Sequence, residues 1–136
     1  MDSLLSCDID LRTISTLTLS FIGDGVYDLM VREYIISLGN RPVGQLNNRK
    51  VSVVNCGFQS ECSDVLEPFF TDEELIIYKR GRNANVHSTP KNADKNDYHK
   101  ATGFEAVFGY LYLKKDTKRL RELFEIIKEN IYEKTK

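Results

Sequence analysis

Apolar residues along this chain return every three or four positions far more often than every second one, which predicts helices rather than strands. Leu19, Ile22, Val26, Leu29 and Ile36 lay a stripe along a first long helix, about residues 13–38, that stops at Gly39-Asn40 with Pro42 just beyond. A helical turn over about residues 43–48 follows, then a second long helix over about residues 52–66, ended by Pro68. Thr71 with Glu74 three residues later has the form of a capping box, and opens a helix through Leu75, Ile76, Tyr78 and Lys79. Residues 83–95 are polar, aperiodic and interrupted by Pro90, so they read as a loop. The most apolar helix spans about residues 97–113, with Phe104, Phe108 and Leu111 on one side. Asp116 caps a last helix whose stripe is Leu120, Leu123, Phe124, Ile127 and Ile131. The expected fold class is all-α, a helical bundle, and 136 residues make one domain over 1–136 with its core at about 13–133.

Composition narrows the function classes. Apolar residues at 41% and charged residues at 29% exclude a disordered chain. Apolar runs such as Leu29-Met30-Val31 fall far short of the roughly 20 residues a spanning helix needs, so no membrane partner is expected. The start, Met-Asp-Ser-Leu-Leu-Ser-Cys-Asp, has neither the basic end nor the apolar core of a secretory signal, and a cytoplasmic location is the expectation. Cys7, Cys56 and Cys62 are odd in number and lack CxxC spacing, which argues against a disulfide framework or a zinc knuckle. His87 and His99 have no companion at ligand spacing.

Net charge is −1, yet the charges are sorted along the chain. Six acids and no base lie between residues 61 and 74, while six bases face two acids between residues 79 and 100. From residue 114 onward eight bases face five acids. A polyanion would therefore meet one patch rather than the whole surface.

Two acids stand in apolar company. Asp24 lies inside Leu19-Ser20-Phe21-Ile22-Gly23-Asp24-Gly25-Val26-Tyr27, and Glu105 inside Ala101-Thr102-Gly103-Phe104-Glu105-Ala106-Val107-Phe108-Gly109-Tyr110. An ionised carboxylate taken from water is costly unless something satisfies it. At 100° per residue Asp24 shares a face with Leu17, Ser20, Asp28 and Val31; Glu105 shares one with Tyr98, Ala101, Thr102, Gly109 and Tyr112. Gly23 and Gly25, like Gly103 and Gly109, would let two helices cross tightly and bring the carboxylates together. Converging carboxylates repel unless a cation sits between them, and Mg²⁺ is the usual answer. Spacing alone leaves a second reading open, in which each acid faces water or pairs with a base such as Arg32.

Lys79-Arg80-Gly81-Arg82-Asn83-Ala84-Asn85 sits where a helix meets the loop, and Ser88, Thr89, Lys91 and Asn92 add short donors. Arg80 and Arg82 carry planar forks suited to phosphate oxygens, and few aromatics are interleaved. That pattern fits a surface reading the backbone of duplex RNA rather than stacking single-stranded bases, or else a solvated basic loop. A metal site beside a cationic loop suggests phosphodiester chemistry.

Phe21-Ile22-Gly23-Asp24-Gly25-Val26 resembles a motif of the ribonuclease III family, in which an aromatic, an aliphatic, Gly, the metal-binding Asp, a small residue and an aliphatic follow in order. The segment Ala101-Thr102-Gly103-Phe104-Glu105-Ala106-Val107-Phe108-Gly109-Tyr110-Leu111 is similar to the family's second motif, whose Glu completes the site. Lys79-Arg80-Gly81-Arg82-Asn83-Ala84 and Thr89-Pro90-Lys91-Asn92 resemble the compact branch called Mini-ribonuclease III, which lacks the double-stranded-RNA-binding domain.

The resemblance spans about residues 13–133. It implies a helical endonuclease domain that pairs as a homodimer, cleaves double-stranded RNA with Mg²⁺ and leaves 5′-phosphate and 3′-hydroxyl ends. For the compact branch it implies the large-subunit (23S) ribosomal RNA precursor as substrate, with a ribosomal protein on that substrate as a further partner.

On this sequence Asp24 and Glu105 become the catalytic metal ligands, and Arg80, Arg82, Asn83 and Lys91 the RNA contacts. Ser20, Asp28, Tyr98 and Thr102 become their supporting groups. The larger members carry four acids in the site; Leu17, seven before Asp24, and Thr102, three before Glu105, cannot be among them. A non-catalytic RNA-binding or ribosome-associated protein of the same fold is the rival, and the intact acid pair favours the enzyme. A helical interaction module would leave both the acids and the basic loop unexplained.

Overall fold

The computed structural model describes residues 4–5, 7–84 and 94–136, and among them every regular element is helical. A 3₁₀ turn at Leu11–Thr13 leads into α1 (Thr16–Ser37), α2 (Val43–Val54) and α3 (Cys56–Leu66). A second 3₁₀ turn at Glu67–Phe69 precedes α4 (Asp72–Arg82), α5 (Lys95–Leu113) and α6 (Thr117–Thr135). The all-α expectation holds. No helix among the described residues is long and apolar enough to cross a membrane.

α5 is the axis of the bundle, packed against α1, α3, α4 and α6. Its sequence is apolar or small nearly all round, and Ala101, Thr102, Phe104, Ala106, Val107, Phe108 and Leu111 are all buried. A helix of that kind belongs inside, surrounded by amphipathic neighbours. Tyr27 of α1 sets the nearest layer, its ring edge-on to Phe104 and Phe108 at 5.0 and 5.7 Å. Its hydroxyl donates to the Val53 carbonyl at 2.6 Å, so one buried side chain ties α1, α5 and α2 together.

Two helix crossings depend on missing side chains. A Cβ on Gly23 would overlap the Glu105 carbonyl, and one on Gly109 would overlap the Leu19 carbonyl, so α1 and α5 touch backbone to backbone. Gly81 and Gly103 do the same for α4 against α5. Gly25 has nothing within 4 Å and takes no part. The expected close crossing therefore rests on Gly23 and Gly109, while Gly103 serves a different partner.

Several helix ends follow the local chemistry read from the sequence. Thr71 Oγ1 accepts from the Glu74 amide at 3.2 Å while Glu74 Oε1 accepts from the Thr71 amide at 3.0 Å, a complete capping box. Asp116 caps α6 by accepting from the Arg119 amide at 3.1 Å, and all five residues of the α6 stripe are buried. Beyond α1, Gly39 takes a φ of +150°, a backbone region that favours glycine.

Two expectations fail. Residues 43–48 are no isolated turn, and residues 52–66 are no single helix. The chain instead breaks at Asn55, which is extended at ψ 160°. Asn55 Nδ2 donates to the last carbonyls of α2 (Val51 and Ser52, both 3.1 Å), and its Oδ1 accepts from the Phe58 amide at 2.9 Å. One asparagine thus closes one helix and opens the next. The phase of the α1 stripe also differs from expectation. Leu29 and Ile36 are exposed, and the buried positions are Leu19, Ser20, Gly23, Tyr27, Val31 and Ile35. The face that meets α5 is selected by the closeness allowed at Gly23, not by the count of large apolar residues.

Candidate active site

The crossing of α1 on α5 fixes what lies beside it. Asp24 follows Gly23 on α1, and Glu105 projects from the stretch of α5 whose carbonyl Gly23 admits, so the carboxyls come together at the mouth of one cleft. The cleft measures about 490 Å³ and is also lined by Ser20, Gln59, Tyr98 and Thr102. Glu105 is half-buried and Asp24 exposed, which corrects the reading of both acids as withdrawn from water. α5 is central and α1 is peripheral, so the same motif pattern yields one inner and one outer acid.

Ser20 Oγ donates to Glu105 Oε1 at 3.2 Å. Burial, and then the charge of Asp24 beside it, push the Glu105 carboxyl up to about 8 against an ordinary value of 4.5. Hydrogen bonding to Ser20 and to Gln59 works in the opposite sense and does not prevail. Among the described residues no cationic side chain lines the cleft to offset these effects. Two hard oxygen donors sharing a cleft, one of them short of a cation, suit a small hard divalent ion, which is held by one or two carboxylates and retains waters. No group of three or more His, Cys, Asp or Glu able to hold a metal occurs among the described residues, so the donor set does not suit a structural zinc.

The other expected residues divide. Tyr98 and Thr102 line the cleft, although the Thr102 hydroxyl is committed to the Tyr98 carbonyl at 2.9 Å. Asp28 does not line it. Four residues along a helix advance about 40° beyond a full turn and about 6 Å in rise. That displacement carries Asp28 to Arg32 Nε at 2.6 Å and Lys50 Nζ at 3.7 Å. Arg32 thus pairs with Asp28, not with Asp24.

Arg80 and Asn83, with Lys79, Ser15 and Thr16, line a shallow groove that shares Leu17 with the acid cleft. Arg82 turns elsewhere, its guanidinium 5.6 Å over the Tyr78 ring and its Nε 3.4 Å from Asn83 Oδ1. Lys91, like His87, Ser88, Thr89 and Asn92, lies outside the described residues.

Gln59 and Cys56 are cleft residues that the sequence reading did not single out. They come from the start of α3, hidden there inside one imagined helix. The available signal was a glutamine on the same helical face as Ser63 and Leu66.

Comparison with known proteins agrees with the geometry. Residues 17–116 match the family described as Ribonuclease III domain. A Mini-ribonuclease 3 of Clostridium tetani is 38% identical over 127 residues, spanning 93% of this chain and 83% of that protein. One of Staphylococcus aureus is 39% identical over 123 residues, spanning 88% and 91%. A crystal structure of a protein from Fusobacterium nucleatum superposes with a TM-score of 0.79 at 29% identity, covering 88% of this chain and 97% of that one. The tight glycine crossing, the acid pair it creates and these relatives lead to one conclusion: the chain belongs to the ribonuclease III family, in its Mini-ribonuclease 3 branch.

Proposed function

We propose that this endoribonuclease of the ribonuclease III type hydrolyses double-stranded RNA in a Mg²⁺-dependent reaction at the cleft holding Asp24 and Glu105. The observation that carries the reading is the crossing of α1 on α5 at Gly23, which brings Asp24 and Glu105 into one cleft that no cationic side chain lines among the described residues. A bound divalent ion supplies Lewis acidity and charge neutralisation at the phosphate. Asp24 and Glu105 would hold that ion, and Glu105 must give up its proton to do so. Ser20 donates to Glu105 Oε1 and fixes one of its oxygens. Tyr98 and Thr102 shape the wall of the cleft on the α5 side.

Lys79, Arg80 and Asn83 bring cationic and polar groups to the groove next to it, where a phosphate backbone would lie. Cleavage on this scheme leaves 5′-phosphate and 3′-hydroxyl ends. Phe21 is 81% exposed on α1 at the rim of the cleft, and this uncovered aromatic supports a homodimer with duplex RNA across it. The substrate we assign is the large-subunit (23S) ribosomal RNA precursor in the cytoplasm, with a ribosomal protein bound to it as a further partner.

Incubating the protein with an end-labelled RNA duplex, with Mg²⁺ and with a chelator, tests the reading. Cleavage only in the presence of the ion, with 5′-phosphorylated products, is the expected result. Equal cleavage in the chelator would remove the metal from the scheme.

A further inference from the structure

Gln59 is 1% exposed, and its Nε2 completes no hydrogen bond of ordinary geometry. It occupies the α3 wall of the cleft, across from α1, and its amide lies close enough to Glu105 to favour the ionised carboxylate. A buried amide without a partner destabilises a fold, and a leucine or methionine would fill the same space without that cost. Ser63, a buried polar residue one turn further along α3, is satisfied by the helix itself: its Oγ donates to the Gln59 and Ser60 carbonyls at 3.2 and 2.9 Å. Of the three buried polar residues of α3, Gln59 is the one that lines the cleft.

The Glu105 carboxyl is therefore approached by polar groups of two helices, Ser20 from α1 and Gln59 from α3. The Ser20 bond ties down one oxygen, Oε1. Glu105, Asp24 and Gln59 line the same cleft. We propose that Gln59 is a positioning residue, whose amide orients the Glu105 carboxylate so that Glu105 and Asp24 can share one divalent cation. The proposal rests on the metal-site reading above and goes beyond it by assigning a function to a helix outside both sequence motifs. Outer-shell donors of this kind fix ligand orientation and typically govern metal affinity by about 10–100-fold.

The test uses Mn²⁺ as probe, its binding followed by the loss of the free-ion electron paramagnetic resonance signal, alongside thermal unfolding in chelator. Gln59→Leu and Gln59→Met both keep the volume and delete the donor. The expected result is Mn²⁺ affinity about tenfold weaker in both, with metal-free melting temperatures equal to or above wild type. Affinity within twofold of wild type in either folded variant would overturn the proposal. So would weakening that merely follows a fall in melting temperature in both, because Gln59 would then be only a core residue. Asp24→Asn and Glu105→Gln run alongside. If they bind Mn²⁺ as well as wild type, the metal-site reading itself fails, a result distinct from failure of the Gln59 assignment alone.

Discussion

Two glutamates of this bundle lie on helices, one buried and one half-buried, and live in opposite circumstances. Glu74 is 3% exposed and fully answered. Its two oxygens accept from Arg119 Nε and Nη2 at 2.8 and 2.9 Å, and one of them also accepts from the Thr71 amide at 3.0 Å. Arg119 in turn reaches the Phe69 carbonyl at 2.8 Å, so the group fastens the start of α4 to α6. Glu105 has a serine, an approaching amide and another acid for company, and among the described residues no cationic side chain lines its cleft. The contrast separates a carboxylate that holds the fold from one that the fold holds ready. Burial alone does not identify a functional acid. Burial beside a second acid, in a cleft that no cationic side chain lines among the described residues, marks a candidate functional acid.

The largest expected effects cross these two sites. Glu105→Gln and Asp24→Asn should each slow duplex cleavage by at least about 10²–10³-fold in single-turnover assays. RNA binding and the melting temperature should be retained. Arg119→Met should do the reverse, lowering stability by about 3 kcal/mol in urea titrations, since it strands the buried Glu74 charge, while any molecules still folded continue to cleave. Equal loss of stability in both would erase the distinction.

The glycines on either side of Asp24 sharpen it further. Gly23→Ala forces a methyl group into the Glu105 carbonyl and should cost about 1–3 kcal/mol together with cleavage. Gly25→Ala meets nothing within 4 Å and should add up to about 1 kcal/mol of stability through helix propensity. The same substitution two residues apart thus changes sign, and chemical denaturation of the two variants reads it directly.

A smaller signature is pH-dependent. The folded Glu105 carboxyl is raised from 4.5 to about 8, so between those values the folded chain binds more protons than the unfolded one. Stabilisation from this group is fully present below 4.5 and is lost as pH rises through 8, at about 1 kcal/mol per pH unit where steepest. Metal-free protein should therefore lose stability between about pH 5 and about pH 8 relative to Glu105→Gln, assayed in chelator at matched ionic strength. Parallel curves for the two proteins would contradict the raised carboxyl. The mildest effect concerns the groove: Arg80→Ala should reduce the salt slope of RNA binding by about one, and Arg82→Ala by less, because Arg82 is turned onto Tyr78.

Much of this was legible in the residues themselves. Asp116, the Thr71–Glu74 pair and the α6 stripe carry their structural meaning locally, within one turn of helix, and the structure repeats it. The acid pair was legible because a glycine beside a charge inside a helix lets another backbone come close, as Gly23 does. What stayed hidden is tertiary. Nothing local distinguishes Gly23, which touches α5, from Gly25, which touches nothing. Asp28 matched the spacing of a supporting group but was claimed by Arg32 and Lys50. Gln59 was obscured by the break at Asn55, a dual cap whose two roles emerge only once both helices exist.

The most direct test of the shared-cation site is anomalous diffraction from crystals of this protein soaked in Mn²⁺. The account predicts one strong peak between the Asp24 and Glu105 carboxylates, bound directly or through a single water, and its disappearance in Glu105→Gln. A peak elsewhere with the acid pair bare, in crystals of protein that cleaves RNA, would contradict it.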